Sequence, residues 1–234
     1  MISLREFSLT LNKPFSTSFG TLTSRTGFLL KLSNSEVGIG ESTPLHGWTE
    51  SLTSCRAALI SAKKDTLLGS PPETILESLV NTPSARHGFS LSILDDLSHS
   101  KGIPLYQYIG ADPVNSIPVN IPIGDSSLTS TVNQCTAAIN SGAKSLKIKI
   151  GKRPIKEDLK RLSAVRTAVG PDVELRADVN GAWSLRQAQK AITKLEQIDL
   201  DYLEQPLHMN DLEGHATLRN SSINIALDES LISN

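Results

Sequence analysis

Apolar and polar positions alternate in two different rhythms along the chain, and the change falls near residue 114. Residues 2–11 and 27–32 alternate or run apolar as antiparallel strands do, and 37–41 continues the pattern between glycines. A small antiparallel sheet is expected there. Pro71-Pro72 then opens a segment with Ile75, Leu76 and Leu79 on one face, and Phe89, Ile93, Leu94 and Leu97 stripe a second helix that Gly102 ends. Residues 1–113 therefore read as an α+β domain.

Beyond that point the rhythm becomes strand, helix, strand, with short turns. Residues 117–121 form a β-branched strand, Val132, Cys135, Ala138 and Ile139 space a helix that stops at Ser141-Gly142, and 145–150 is the next strand. Pro154 starts a helix with Leu159, Leu162, Val165 and Val169 inward, Gly170 stops it, and 173–177 returns as a strand. Ser184 with Gln187 makes a capping-box start for a helix striped by Leu185, Ala188, Ile192, Leu195 and Ile198, and strands follow at 202–203 and 223–227. Alternation alone fits either a doubly wound open sheet or a (β/α) barrel. Four successive strands, however, end in ionisable groups and no Gly-rich phosphate loop appears, which favours the barrel. The expected architecture is α/β, with residues 114–234 forming a TIM-like barrel. A closed barrel of this type needs about eight strands. Only five are expected here, so the barrel reads as truncated after the fifth: a fragment of a longer protein, a natural truncation that would struggle to bury the edges of strands one and five, or a chain completed by a second polypeptide.

Composition narrows the class. Lys and Arg number 23 against 24 Asp and Glu, giving a net charge of -1 with no long run of one sign, which argues against nucleic acid or an anionic membrane as partner. Cys55 and Cys135 stand far apart and outside any Cys/His cluster, so neither zinc nor a disulfide framework is suggested. Residues 1–10 carry no signal-like apolar stretch, and no segment offers the roughly 18 continuous apolar residues of a membrane span. A soluble, cytoplasmic protein is expected.

The candidate chemistry lies at the strand ends. Asp178, Glu204 and Asp228 are 26 and 24 residues apart (204 − 178 and 228 − 204), close to one βα repeat each. Neighbouring strands would bring the three carboxylates to one rim, where hard oxygen donors suit a divalent cation such as Mg²⁺. Lys147 and Lys149 are two apart on one strand and share a face opposite Leu146, Ile148 and Ile150. A cation beside a lysine suits removal of a proton next to a carboxylate, a reaction that needs a positioned base and fixed positive charge where the dianion develops.

These motifs carry a family resemblance. Gly38-Ile39-Gly40-Glu41-Ser42-Thr43-Pro44-Leu45, residues 85–110 with Asp95-Asp96 and Gly102-Ile103-Pro104-Leu105, Lys147-x-Lys149, Asp178-Val179-Asn180-Gly181-Ala182-Trp183, Glu204-Gln205-Pro206-Leu207 and Asp228-Glu229-Ser230 occur in the order of the enolase superfamily. The chain resembles that superfamily, in the branch that includes the o-succinylbenzoate synthases. The resemblance implies a capping domain at 1–113, Asp178, Glu204 and Asp228 as ligands of Mg²⁺ (Mn²⁺ as the alternative), Lys149 as the base and Lys147 as its electrostatic companion. It further implies supporting roles for Asn180 and Glu229, and substrate loops at Phe19 and at His46 and Trp48. The implied activity is that of a carbon-oxygen lyase. A small carboxylate would be dehydrated to o-succinylbenzoate for menaquinone biosynthesis through an Mg²⁺-stabilised enediolate. Dipeptide epimerase or N-acylamino acid racemase chemistry on the same scaffold is the alternative, and a non-catalytic truncated fragment or interaction module is the second. Besides the small carboxylate, the partner expected is a second copy of the chain, as a homo-oligomer, or a completing polypeptide.

Overall fold

The computed structural model describes residues 2–17, 20–32, 37–124 and 126–232, which form two compact units, 1–115 and 116–234. In the first unit β1 (Ser3–Thr17), β2 (Gly20–Lys31) and β3 (Ile39–Ser42) make an antiparallel sheet in that order. Helices α1 (Leu52–Leu67), α2 (Pro72–Ser78), α3 (Pro83–Ser100) and the single turn α4 (Leu105–Tyr108) follow. Phe28 and Leu30 of the sheet pack with Leu59 of α1 and Phe89 of α3 in one core.

The stripe expected on α3 is corrected by the structure. Its buried positions include Ala85, Gly88, Phe89 and Ser92, whereas Leu97 is 39% exposed. Close approach to β3 explains the change: a Cβ on Gly40 would fall 1.8 Å from the Gly88 carbonyl oxygen, so only small residues fit where helix meets strand. Two acids finish this contact electrostatically. Asp95 accepts from the backbone N–H of Gly38 and Ile39, each at 2.9 Å. Glu50 accepts from the N–H of Ser84 and Ala85 at the start of α3, where carboxylates are favoured.

The second unit alternates β4 (Asn120–Ile123), α5 (Leu128–Asn140), β5 (Ser145–Lys149), α6 (Ile155–Val169), β6 (Glu174–Asp178), α7 (Leu185–Leu195), β7 (Leu203–Glu204), α8 (Leu212–Leu218) and β8 (Ile225–Ala226). All pairings are parallel, and the strands lie side by side in sequence order without a reversal. A doubly wound sheet would reverse its order at a switch point. This is the single-direction winding of a (β/α) barrel, represented by five strands among the described residues. Leu146, Ile148, Leu175, Ala177 and Leu203 of the strands meet Leu162, Val165, Ala188, Ala191 and Leu195 of the helices in one core. The capping box at α7 forms as expected.

Strand limits differ from the pattern at both edges of this sheet. The first strand begins at Asn120 rather than 117, and Ile117 and Val119 are 74% and 64% exposed. Pro118 between them has no N–H to contribute to a ladder. The last strand is confined to Ile225–Ala226, and Leu227 is 37% exposed. Helices α1 and α8 were not expected from periodicity. No helix among the described residues is long and apolar enough to cross a membrane.

Candidate active site

Parallel register assembles the site. Lys149 pairs with Asp178 and Asp178 with Glu204, so the carboxyl ends of β5, β6 and β7 stand level. Glu204 pairs in turn with Ala226, two residues before Asp228. Alternation along β5 buries Leu146 and Ile148 in the helix-facing core and turns Lys147 and Lys149 to the opposite face.

The two ammonium groups meet the acids directly. Lys149 Nζ donates to Asp178 Oδ2 at 2.6 Å and to Asn180 Oδ1 at 2.8 Å. Lys147 Nζ donates to both oxygens of Glu204, at 2.8 and 3.0 Å, and stands 3.6 Å from Asp178 Oδ2. Asn180 passes the chain of contacts on, its Nδ2 donating to Glu229 Oε1 at 2.9 Å. Asn180 also has φ 49°, left-handed backbone that asparagine tolerates better than most residues, and its N–H donates to Asp178 Oδ1.

Electrostatics reflect burial first and neighbouring charge second. Burial raises the Glu204 carboxyl above its ordinary value; the hydrogen bond from Lys147 opposes this, and the charges of Asp178 and Asp228 add to it. Asp228 is raised by burial first and by Glu229 second. Burial alone would lower the Lys147 amine, but the hydrogen bond and charge of Glu204, with Asp178, outweigh it and hold the group above its ordinary value. The ion pair favours both charged forms, yet Glu204 stays raised because it is desolvated among other acids.

A divalent cation fits the chemistry of these donors. Asp178 is fully buried, Glu204 is 6% exposed, and Glu229 Oε2 is a buried oxygen with no hydrogen-bond partner among the described residues. Two lysines set against Asp178, Glu204, Asp228 and Glu229 leave a deficit of two positive charges. The ligand set is nevertheless not closed: among the described residues no three His, Cys, Asp or Glu side chains form a ready-made cage. Lys147, in contact with both Glu204 and Asp178, occupies the space between two of the acids.

The remaining expectations distribute differently. His46 is exposed and Trp48 partly buried, both in the first unit in the turn after β3, where the Trp48 N–H donates to the Leu45 carbonyl. Phe19 lies outside the described residues. Two groups that support the site were not assigned a role from the sequence. One is the buried pair Asp158 and Arg161 on α6, 2.8 Å apart. Asp158 accepts from the Gly151 N–H and Arg161 donates to the Lys149 carbonyl, so the pair grips the backbone on either side of Ile150. Charges at 158 and 161 within a helix stripe that buries Leu162 and Val165 were the available signal. The other is Gln205, fully buried within the Glu204-Gln205-Pro206 motif.

Several known proteins are similar to this chain. Residues 130–234 match the family described as enolase C-terminal domain-like. The L-Ala-D/L-Glu epimerase of Clostridium acetobutylicum is 30% identical over 245 residues, covering 99% of this chain and 68% of the relative. The chain belongs to the enolase superfamily. Among solved superfamily structures, the dipeptide epimerase of Enterococcus faecalis V583, complexed with Mg and the dipeptide L-Leu-L-Tyr, is 26% identical with a TM-score of 0.86 over 98% of this chain and 67% of that one. The o-succinylbenzoate synthase of Thermosynechococcus elongatus BP-1, complexed with Mg in the active site, is also 26% identical, with a TM-score of 0.77 over 98% and 69%. The chain spans 65% and 61% of the length of two further curated superfamily relatives. Superfamily relatives thus include racemases, epimerases and an o-succinylbenzoate synthase.

Proposed function

We propose that this site removes the proton on the carbon next to a substrate carboxylate, with Lys149 as the base. The observation that carries the reading is the placement of Lys149 Nζ, held between Asp178 and Asn180 at the rim where the acids of β6 and β7 stand level. Asp178, Glu204 and Asp228 would hold Mg²⁺, with Mn²⁺ as a substitute, and the Mg complexes of the two structural relatives support that choice. When bound, the cation supplies fixed positive charge where the second negative charge of the enediolate develops. Lys149 in its neutral form takes the proton onto Nζ, and Asp178 and Asn180 then stabilise the ammonium formed there. Lys147 contributes a second positive charge from the same face of β5. Asn180 and Glu229 keep the Lys149 amine aimed.

Two finer reactions share this first step. The epimerase and racemase relatives support inversion at the α-carbon of a dipeptide or N-acylamino acid. The synthase relative supports syn dehydration to o-succinylbenzoate in menaquinone biosynthesis, a carbon-oxygen lyase reaction. Lys147 and Lys149 on one face of β5 serve either reaction, since one group can act as base and then return its proton to a leaving hydroxyl, or act as one of two bases.

Exchange in D₂O tests the shared step. With Mg²⁺ present, an accepted dipeptide, N-succinylamino acid or cyclohexadiene carboxylate is expected to take up deuterium at its α-carbon or lose water, followed by NMR. Lys149→Ala is expected to lower that rate by about 10² to 10⁴-fold. A variant that retained wild-type exchange would remove Lys149 from the role.

A further inference from the structure

We infer that Gln205 is a positioning residue for the cation site, fixing Asp228 relative to Glu204 by tying together the ends of three neighbouring strands. The inference rests on the metal reading above and adds a residue to which that reading gives no task.

Gln205 follows Glu204 directly, is fully buried, and has φ 38°, a left-handed conformation that a glutamine adopts only when its surroundings hold it there. Its main chain works in two directions. The N–H donates to the Ala226 carbonyl at 2.8 Å, continuing the ladder to β8, while its own carbonyl accepts from the Gly181 N–H at 2.7 Å in the loop after β6. The side chain reaches the loop after β8. Oε1 accepts from the N–H of Asp228 at 2.9 Å and of Ser230 at 3.3 Å. Nε2 donates to Ser230 Oγ at 2.7 Å and to the Leu207 carbonyl at 3.0 Å.

The amide thus uses both acceptor positions and both donors. Its orientation is set by chemistry, because the backbone N–H groups of Asp228 and Ser230 can face only the oxygen. Glutamate at this position would lack the two donors, and an apolar side chain would withdraw the oxygen that accepts from the N–H groups of Asp228 and Ser230. Gln205 holds Asp228 through its N–H, which leaves the carboxylate out of this hydrogen bond. A residue that sits beside one proposed ligand and holds the backbone of another determines the distance between them. Groups behind metal ligands act in this way, and their loss weakens binding without touching the ion.

Mn²⁺ binding to the 234-residue chain, read from loss of the free-ion EPR signal, tests the inference without any substrate. Gln205→Met is expected to weaken Mn²⁺ binding about 10 to 100-fold. Ser230→Ala, which deletes only one partner of the amide, is expected to weaken it about three- to tenfold. Val165→Ala, a buried α6 position away from the site, serves as the control for lost stability alone: a lower melting temperature with Mn²⁺ affinity within twofold of wild type is expected. Folded Gln205→Met protein that binds as wild type would overturn the inference. If that variant does not fold, wild-type affinity in Ser230→Ala would overturn it equally. A wild-type chain that takes up no Mn²⁺, or whose uptake survives Asp178→Asn, would instead overturn the metal reading and this inference with it.

Discussion

Asp228 carries its charge against its surroundings. Burial and the neighbouring Glu229 hold its carboxyl above the ordinary range, so the unfolded chain releases this proton at a lower pH than the folded one. The folded form therefore binds more protons across that interval, and the contribution of Asp228 to stability falls as pH rises from the ordinary carboxylate range through the raised value. Asp228→Asn is accordingly expected to raise the melting temperature of the metal-free chain at neutral pH while abolishing stabilisation by Mg²⁺, measured by calorimetry with and without the ion. The two thiols are shifted in the same direction. Burial, with Glu50 adding, pushes Cys55 up to about 12, and burial pushes Cys135 up to about 11. Neither should react with a thiol reagent at pH 8 in the native protein, and both should react once it is denatured, as absorbance titration would report. At this scale the acids and lysines were legible because charge at the end of an apolar strand is conspicuous. Gln205 was not, since an uncharged amide disturbs no periodicity and its value lies in backbone groups that only the folded chain brings near.

Elements were legible where one face is apolar and the other is not. Helix α7, with Ala188, Ala191, Ile192 and Leu195 buried and a capping box at its start, is such a case. Helix α1 buries Cys55, Leu59 and Ala62 but exposes Ile60 and Leu67, so its stripe is blurred. In α8 the buried set is Gly214, His215 and Leu218, which reads as polar until His215 is seen donating from Nδ1 to the Asp211 carbonyl and accepting the Leu207 N–H at Nε2. Contact between elements sets two expectations. Arg161→Met removes the buried positive charge beside Asp158 and should cost about 3–5 kcal/mol in denaturant unfolding. Gly40→Ala drives a methyl into the Gly88 carbonyl and should cost about 1–3 kcal/mol, since backbone rather than a side chain must give way.

For the whole molecule, the order of strands in the second unit was implied by the alternation of patterns, and the choice of winding by the charged strand ends. The lengths of β7 and β8, two residues each, were not, because hydrogen bonding to a neighbouring strand rather than local composition decides where a ladder stops. Ligand linkage reads out the assembled site. Mg²⁺ at about 100 times its dissociation constant should stabilise the chain by about 2.7 kcal/mol, and Glu204→Gln should erase the shift in a thermal melt. Sequential strand order has a kinetic meaning as well. Pairing partners lie near in sequence, so each βα segment can dock on the one before it and assembly can keep pace with synthesis on the ribosome. The strand bearing both ammonium groups emerges before the strands bearing their carboxylate partners. A nascent polypeptide halted after β5 would therefore show two solvated lysines that the carboxylates of β6 and β7 later pair.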